Sequence, residues 1–225
     1  DVQERLSSTM LEHRVGGIIL SAVPGSKPDT VNRIQALGIP VVLVGRQLPG
    51  TQCDYVGVDN AKGGWLATQH LIELGHRRIA FLGGLSQMSS WQGRYQGYVS
   101  ALTEAGLTVE PKLIRESRAT LQCGIDLVQQ IVLEPNPPTA IFCYNDIFAI
   151  GAMMKLKDMG ISPGRDIAIV GFDDIPEATI FSPKLTTVSS CIKAMGKYAA
   201  SILLERIEGL PAEPRHITLE PQLII

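Results

Sequence analysis

The sequence predicts an α/β fold built on parallel sheets, and three observations carry that prediction. Strand-like and helix-like segments alternate along the chain with short turns between them. The strand-like runs, such as "IAIV" at 167–170, are apolar and β-branched with no polar alternation, as strands covered on both faces are. The alternation implies parallel strands joined by right-handed crossovers, and because no internal repeat or low-complexity tether interrupts the order, two lobes are expected to be joined by crossing strands. At 225 residues and 45% hydrophobic, the chain can bury a substantial core as one large domain or two modest ones.

In order, "VGGIIL" reads as a strand and "PDTVNRIQALG" as a helix with Val31, Ile34 and Leu37 on one face and Gly38 ending it. "IPVVLVG" is the next strand. "VDNAKGGWLATQHLIELG" is a helix with Asp59 or Asn60 as N-cap and Gly75 at its end. There follow the strand "RRIAFLGG", a helix from about Ser90 to Ala105, the strand "KLIRE", a helix through "GIDLVQQIVL" and the strand "TAIFCYN". The helix "DIFAIGAMMKLKDMG" leads to the strand "RDIAIVGF". The pattern then changes to a short extended "SPKLTTVSS", an amphipathic "IKAMGKYAASILLERIEG" and a final extended "HITLEPQLII".

Composition excludes several classes. A formal net charge of −2 without long runs of one sign gives no electrostatic footprint for nucleic acid or an anionic membrane. No apolar stretch reaches the roughly 20 residues of a membrane span, and "DVQERLSS" is no signal peptide. Cys53, Cys123, Cys143 and Cys191 fit neither a zinc spacing nor a disulfide framework, which points to a reducing cytoplasm. There is no G-x-G-x-x-G after a strand, no Walker loop, no H-E-x-x-H and no G-x-S-x-G. His13, His70, His76 and His216 share no metal-ligand spacing, and His76 before Arg77 and Arg78 suits a helix end. No catalytic residue, metal or cofactor is expected.

What remains is a set of polar and aromatic residues at strand ends. Arg94 opens the helix after "RRIAFLGG", behind Ser89, Ser90 and Trp91; Asn145 and Asp146 follow "TAIFCY"; Asp173 follows "IAIVGF". Strand exits in a parallel sheet converge on one rim, where ligands bind. A planar fork of donors, carboxylate and amide acceptors and a flat apolar face suit a small polyhydroxylated ring. Each residue also has a structural reading: Asp146 as a helix cap, Phe142 as core, Trp91 as cover for a surface. Arg94 and Asp173 are the two assigned to ligand.

The blocks "LIELGHRRIAFLGG", "RYQGYVSAL", "PTAIFCYNDIFAIGAM", "ISPGRDIAIVGFDDI" and "SPKLTTV", in this order and spacing, resemble the effector-binding core of the lactose-repressor/galactose-repressor (LacI/GalR) family of bacterial transcription regulators. The match runs from about Val15 to the end. The resemblance implies the fold of periplasmic sugar-binding proteins: two Rossmann-like lobes joined by three crossing strands, with the ligand between them. The implied lobes are residues 1–57 with 190–218, and 58–189 with 219–225. It also implies a sugar or sugar-phosphate effector, a homodimer, and operator DNA bound only through an N-terminal headpiece.

Carried over residue by residue, the resemblance makes Arg94 and Asp173 the main effector contacts, adds Asn145, Phe142, Ser21 and Ser90, and leaves Asp174 to the following turn. Gly171 is expected to leave room for neighbouring backbone. The family's headpiece, hinge helix and first strand–helix unit are missing, so the first lobe is expected to be incomplete. Position 45, a carboxylate in some sugar-responsive relatives, is Gly45, followed by Arg46. The alternatives are a sugar-binding protein serving a transporter and a nucleobase-responsive regulator of the same family.

Overall fold

A computed structural model describes residue 5, residues 9–210 and residues 213–225. Of the opening stretch read above as no signal peptide, only Arg5 is among them. The elements run β1 (Ile18–Leu20), α1 (Pro28–Ala36), β2 (Val41–Val44), β3 (Asp54–Val58), α2 (Asn60–Glu73), β4 (Ile79–Leu82), α3 (Ser89–Glu104) and β5 (Ile114–Arg115). They continue with α4 (Leu121–Val132), β6 (Ala140–Cys143), α5 (Asp146–Asp158), β7 (Ala168–Asp173), β8 (Thr186–Ser189), α6 (Ile192–Ile207), β9 (His216–Leu219) and β10 (Gln222–Ile224). The chain forms two compact units, Asp1–Val58 with Cys191–Leu219 and Asp59–Ser190 with Glu220–Ile225, and so passes from one to the other three times.

The first unit holds a parallel sheet in the order β1-β2-β3-β9. Successive side chains of β2 point to opposite faces, which divides its apolar run between two helices. Val41 and Leu43 face α1, whose Val31 and Ile34 join Ile18, Cys53 and Tyr55. Val42 faces α6, where Ala199 and Ile202 cover it together with Val56. Pro28 starts α1 at a position where a missing N–H costs nothing.

The strand β3, "DYVGV", is absent from the sequence-based expectation. An acid at its start and a glycine within it break the apolar run that announces β2. All five of its residues are nevertheless buried. Asp54 is tolerated because its carboxylate accepts hydrogen bonds from Arg206 Nε and Nη2 at 2.8 Å each and from the Arg215 backbone N–H at 2.9 Å.

The second unit holds a six-stranded sheet, β10-β8-β7-β6-β4-β5, parallel except where β10 pairs antiparallel with β8. Leu82, Ile141, Cys143 and Ile169 pack with Val128 and Ile131 of α4 and Phe148, Ala152 and Leu156 of α5. Phe81 and Phe142 pack on each other with ring centroids 5.0 Å apart, and Tyr98 of α3 stacks on Phe81. Two predicted elements differ in detail. "KLIRE" shrinks to the two-residue β5 behind a 3-10 turn at Pro111–Leu113. "HITLEPQLII" is broken at Glu220–Pro221 into β9 and β10, which join different sheets.

Candidate functional site

In the second unit, β4, β6, β7 and β8 run parallel, so their exits share one rim. Arg94 reaches that rim from the second turn of α3 rather than from its opening, because the helix already starts at Ser89. Close backbone packing brings it there. A Cβ on Gly64 of α2 would lie 2.2 Å from the Arg94 carbonyl oxygen, and one on Gly97 would lie 2.0 Å from that of Ala61. Only glycine permits this approach.

Arg94 is 6% exposed, and its guanidinium is held on every side. Nε donates to Asn60 Oδ1 at 2.9 Å, Nη2 to Asp173 Oδ1 at 3.2 Å, and Nη1 to the Tyr144 carbonyl oxygen. Its Cζ lies 3.5 Å from the centroid of the Phe172 ring and 4.6 Å from that of Tyr144. Cation–π contact and charge-assisted bonds together offset the cost of burying the charge. These bonds use three of the five guanidinium N–H groups.

Asp173 ends β7 with φ at +118°, and Asp174 follows at +57°. Two successive non-glycine residues in this region cost on the order of 1–3 kcal/mol each and persist only where the surroundings hold them. The backbone turn aims the Asp173 carboxylate at Arg94 while leaving its side chain 27% exposed. Asp174 is exposed, and its backbone N–H lies 3.4 Å from Thr187 Oγ1.

Other expected site residues are placed differently. Asn145, not Asp146, caps α5, its Oδ1 accepting from the Phe148 N–H at 3.1 Å. That bond uses only the acceptor half of the amide. Asp146 is fully buried and accepts from Thr187 Oγ1 at 2.6 Å and the Ile175 N–H at 3.0 Å. Burial pushes its carboxyl up to about 6, against the lowering effect of those bonds. The space at Gly171 belongs to this side chain rather than to backbone, since a Cβ there would lie 2.1 Å from Asp146 Oδ1.

Phe142 does not reach the rim. As an inner residue of β6 it is fully buried against Phe81, so the expectation of an aromatic face for ligand is corrected. Ser90 is buried too, its Oγ 2.7 Å from the Tyr144 hydroxyl, and Trp91 donates from Nε1 to the Gly83 carbonyl at 3.1 Å. Ser21 lies in the other unit, exposed directly after β1. Beside it Arg46 donates from Nη1 to the Ala22 carbonyl at 3.1 Å, within the same unit.

Residues 68–225 match the family model described as a periplasmic binding protein-like domain. A regulatory protein of the LacI family from Chloroflexus aggregans has the same fold, with a TM-score of 0.85 at 33% identity over 99% of this chain and 79% of that one. The chain belongs to the LacI family. Its architecture also matches the transcriptional regulator CelR in complex with cellobiose, with a TM-score of 0.88 at 33% identity over 99% of this chain and 68% of that one. The HTH-type transcriptional repressor PurR of Vibrio atlanticus is 34% identical over 96% of this chain. The chain spans 64% of that repressor's length.

Within this LacI-family domain, Arg94 and Asp173 meet at the strand exits, as their positions in the sequence suggest, but what holds them is not read from the sequence. Asn60 is read only as a possible cap, and the cap is Asp59, which accepts from the Lys62 N–H at 2.8 Å. Phe172 is read as part of a buried strand, with no sign that Arg94 lies against its ring. Tyr144 is hidden because it acts partly through its carbonyl, which every residue has. Among the described residues no helix is long and apolar enough to cross a membrane.

Proposed function

We propose that the chain is the effector-sensing part of a transcriptional repressor, and that it takes a sugar or sugar phosphate at the strand-exit rim of its second unit. The observation that carries this reading is the Arg94–Asp173 pair: a rigidly held guanidinium beside a partly open carboxylate, at 3.2 Å, on a turn that costs backbone strain. Ring hydroxyls need such a combination of fixed donors and acceptors. Asn145 is the proposed donor of a further bond through its amide nitrogen. Ser90 is proposed to act through Tyr144, and Ser21 is retained as a proposed effector contact. Likeness to a regulator solved with cellobiose supports a sugar.

The complete protein is proposed to work as a cytoplasmic homodimer that binds a two-fold operator, in keeping with relatives named HTH-type repressors. Calorimetry against a panel of mono- and disaccharides, sugar phosphates and purine bases tests the effector. Binding of a sugar without turnover is expected. Tight binding of a purine base with no sugar response moves the reading to a nucleobase sensor. Sedimentation of the full-length protein as a monomer at micromolar concentration removes the dimer.

A further inference from the structure

Asp146 is a buried carboxylate that the proposed function leaves unused, and it sits between the two proposed contacts Asn145 and Asp173. It is the first residue of α5, next to the cap Asn145, where the helix N-terminus favours negative charge. Its Oδ2 takes the Ile175 N–H at 3.0 Å, directly beyond the pair of positive-φ residues Asp173 and Asp174. Its Oδ1 takes the Thr187 hydroxyl at 2.6 Å, and that same oxygen of Thr187 lies 3.4 Å from the Asp174 N–H. Ser190 Oγ completes the restraint by donating to the Asp173 carbonyl at 3.2 Å. Gly171 has no side chain, and a Cβ there would overlap Asp146 Oδ1 at 2.1 Å, so the strand is cut away to admit this carboxylate.

The Asp174 and Ile175 N–H groups that follow the strained residue Asp173 are thus tied to Thr187 and to Asp146, its buried partner. We infer that Asp146 is a positioning residue. Through Ile175 and Thr187 it locks the turn after β7 in the conformation that presents Asp173 to Arg94, and it fixes that turn relative to the Asn145 cap. This rests on the reading of Arg94 and Asp173 as effector contacts. An ordinary hydrophobe at 146 would fill the space but leave the half-buried Ile175 N–H without its carboxylate partner, and the turn would relax toward negative φ.

The test uses the full-length protein and four variants: Asp146→Ala, Thr187→Val, Thr187→Ser and, for comparison, Asp173→Ala. In calorimetry with ribose and cellobiose as probes, Asp146→Ala and Thr187→Val are expected to weaken whichever sugar the wild type binds by about tenfold or more. Thr187→Ser, which keeps the hydroxyl, is expected to restore most of the affinity that Thr187→Val loses. The ligand-free readout is a crystal structure of Asp146→Ala or, should that variant not fold, of Thr187→Val. It is expected to show the Asp173–Arg94 bond broken and Asp173 out of the positive-φ region. A bond left in place overturns the inference, whatever happens to the melting temperature. Because this readout needs no sugar, it decides the inference separately from the effector reading. A broken bond together with unchanged affinity in all four variants overturns that reading instead.

Discussion

Each of the two units carries an Arg–Asp pair at an end of its parallel sheet, and the two pairs are built to different ends. In the first unit Arg206 grips Asp54 through two bonds of 2.8 Å, the Arg215 backbone adds a third, and the side chains are only 13% and 6% exposed. Asp54 stands at the entry of β3, and Arg206 also donates to the Glu213 carbonyl at 2.9 Å. The pair ties the end of α6 and the approach to β9 onto the sheet. In the second unit Arg94 and Asp173 share one bond of 3.2 Å, and the carboxylate stands at a strand exit, on a strained turn and partly open. A saturated pair at a strand entry is structural. The second pair stands at a strand exit with its carboxylate partly exposed, and exits are where open α/β sheets bind ligands.

Removing one partner from each pair should separate the two roles. Asp54→Ala leaves Arg206 largely buried without its carboxylate and should cost about 3 kcal/mol of stability, read by denaturant unfolding. Affinity for the effector should be unchanged wherever the protein remains folded. Asp173→Ala should weaken effector binding about tenfold to a hundredfold, with a smaller loss of stability than Asp54→Ala because Asn60, the Tyr144 carbonyl and the Phe172 ring still hold the Arg94 guanidinium. Arg94→Ala falls between them. It should abolish effector response, but it also removes the bonds to Asn60 Oδ1 and the Tyr144 carbonyl and uncovers Phe172, so stability should fall as well. An Asp54→Ala protein that unfolds normally but no longer binds effector would erase the distinction.

The comparison extends to pH, because the buried carboxylates of the two units titrate in opposite directions. Burial works to raise the pKa of Asp54, but the bonds and charges of Arg206 and Arg215 outweigh it and hold the group below the ordinary 3.8. Its folded pKa is depressed, so its contribution is fully present above 3.8 and is lost as pH falls through the folded value. Asp146 is raised to about 6 by burial first, with the Asp173 charge adding to the rise. The folded protein then binds this proton more tightly than the unfolded chain does, so ionised Asp146 costs stability above about pH 6, and the cost fades toward 3.8. Asp146→Asn keeps both contacts, accepting from Ile175 and donating to Thr187. It should be more stable than wild type at about pH 7.5 by on the order of 2 kcal/mol, with the gap narrowing as pH falls from about 6 toward 3.8. A gap that does not vary over this range removes Asp146 as the titrating group.

How legible each part was in the sequence follows from the kind of signal it leaves. The apolar runs of β2, β4, β6 and β7 announce themselves because strands covered on both faces must be apolar throughout. The strand β3 does not, since Asp54 reads as a break until Arg206, far along the chain, is placed beside it. The "GFDD" and "RYQGY" blocks mark Asp173 and Arg94 by position, and both reach the rim. Phe142 fails because a strand's period does not say how far from the exit a residue stops being core. The exchange of roles between Asn145 and Asp146 fails for a related reason. Either side chain can cap a helix, and only the buried hydroxyl of Thr187 and the missing side chain of Gly171 decide which of the two turns inward.

The smallest expected effects fall at Asp174, and they test whether the two neighbouring carboxylates have been told apart. Its φ of +57° is the left-handed region, where glycine pays no steric cost and a non-glycine residue pays about 1 kcal/mol. Asp174→Gly should therefore raise stability slightly or leave it level, with the greater freedom of glycine in the unfolded chain offsetting part of the gain. Asp174→Ala should lower it by a few tenths to about 1 kcal/mol, because alanine has no polar side chain to bond locally in that conformation. The carboxylate is exposed and the turn is held through the Asp174 backbone N–H, which both variants keep. Effector affinity should consequently stay within about twofold of wild type in each. Loss of binding in Asp174→Ala, with Asp173→Ala still binding, would reverse the assignment: the exposed carboxylate would be the ligand contact, and the one on Arg94 would be part of the scaffold.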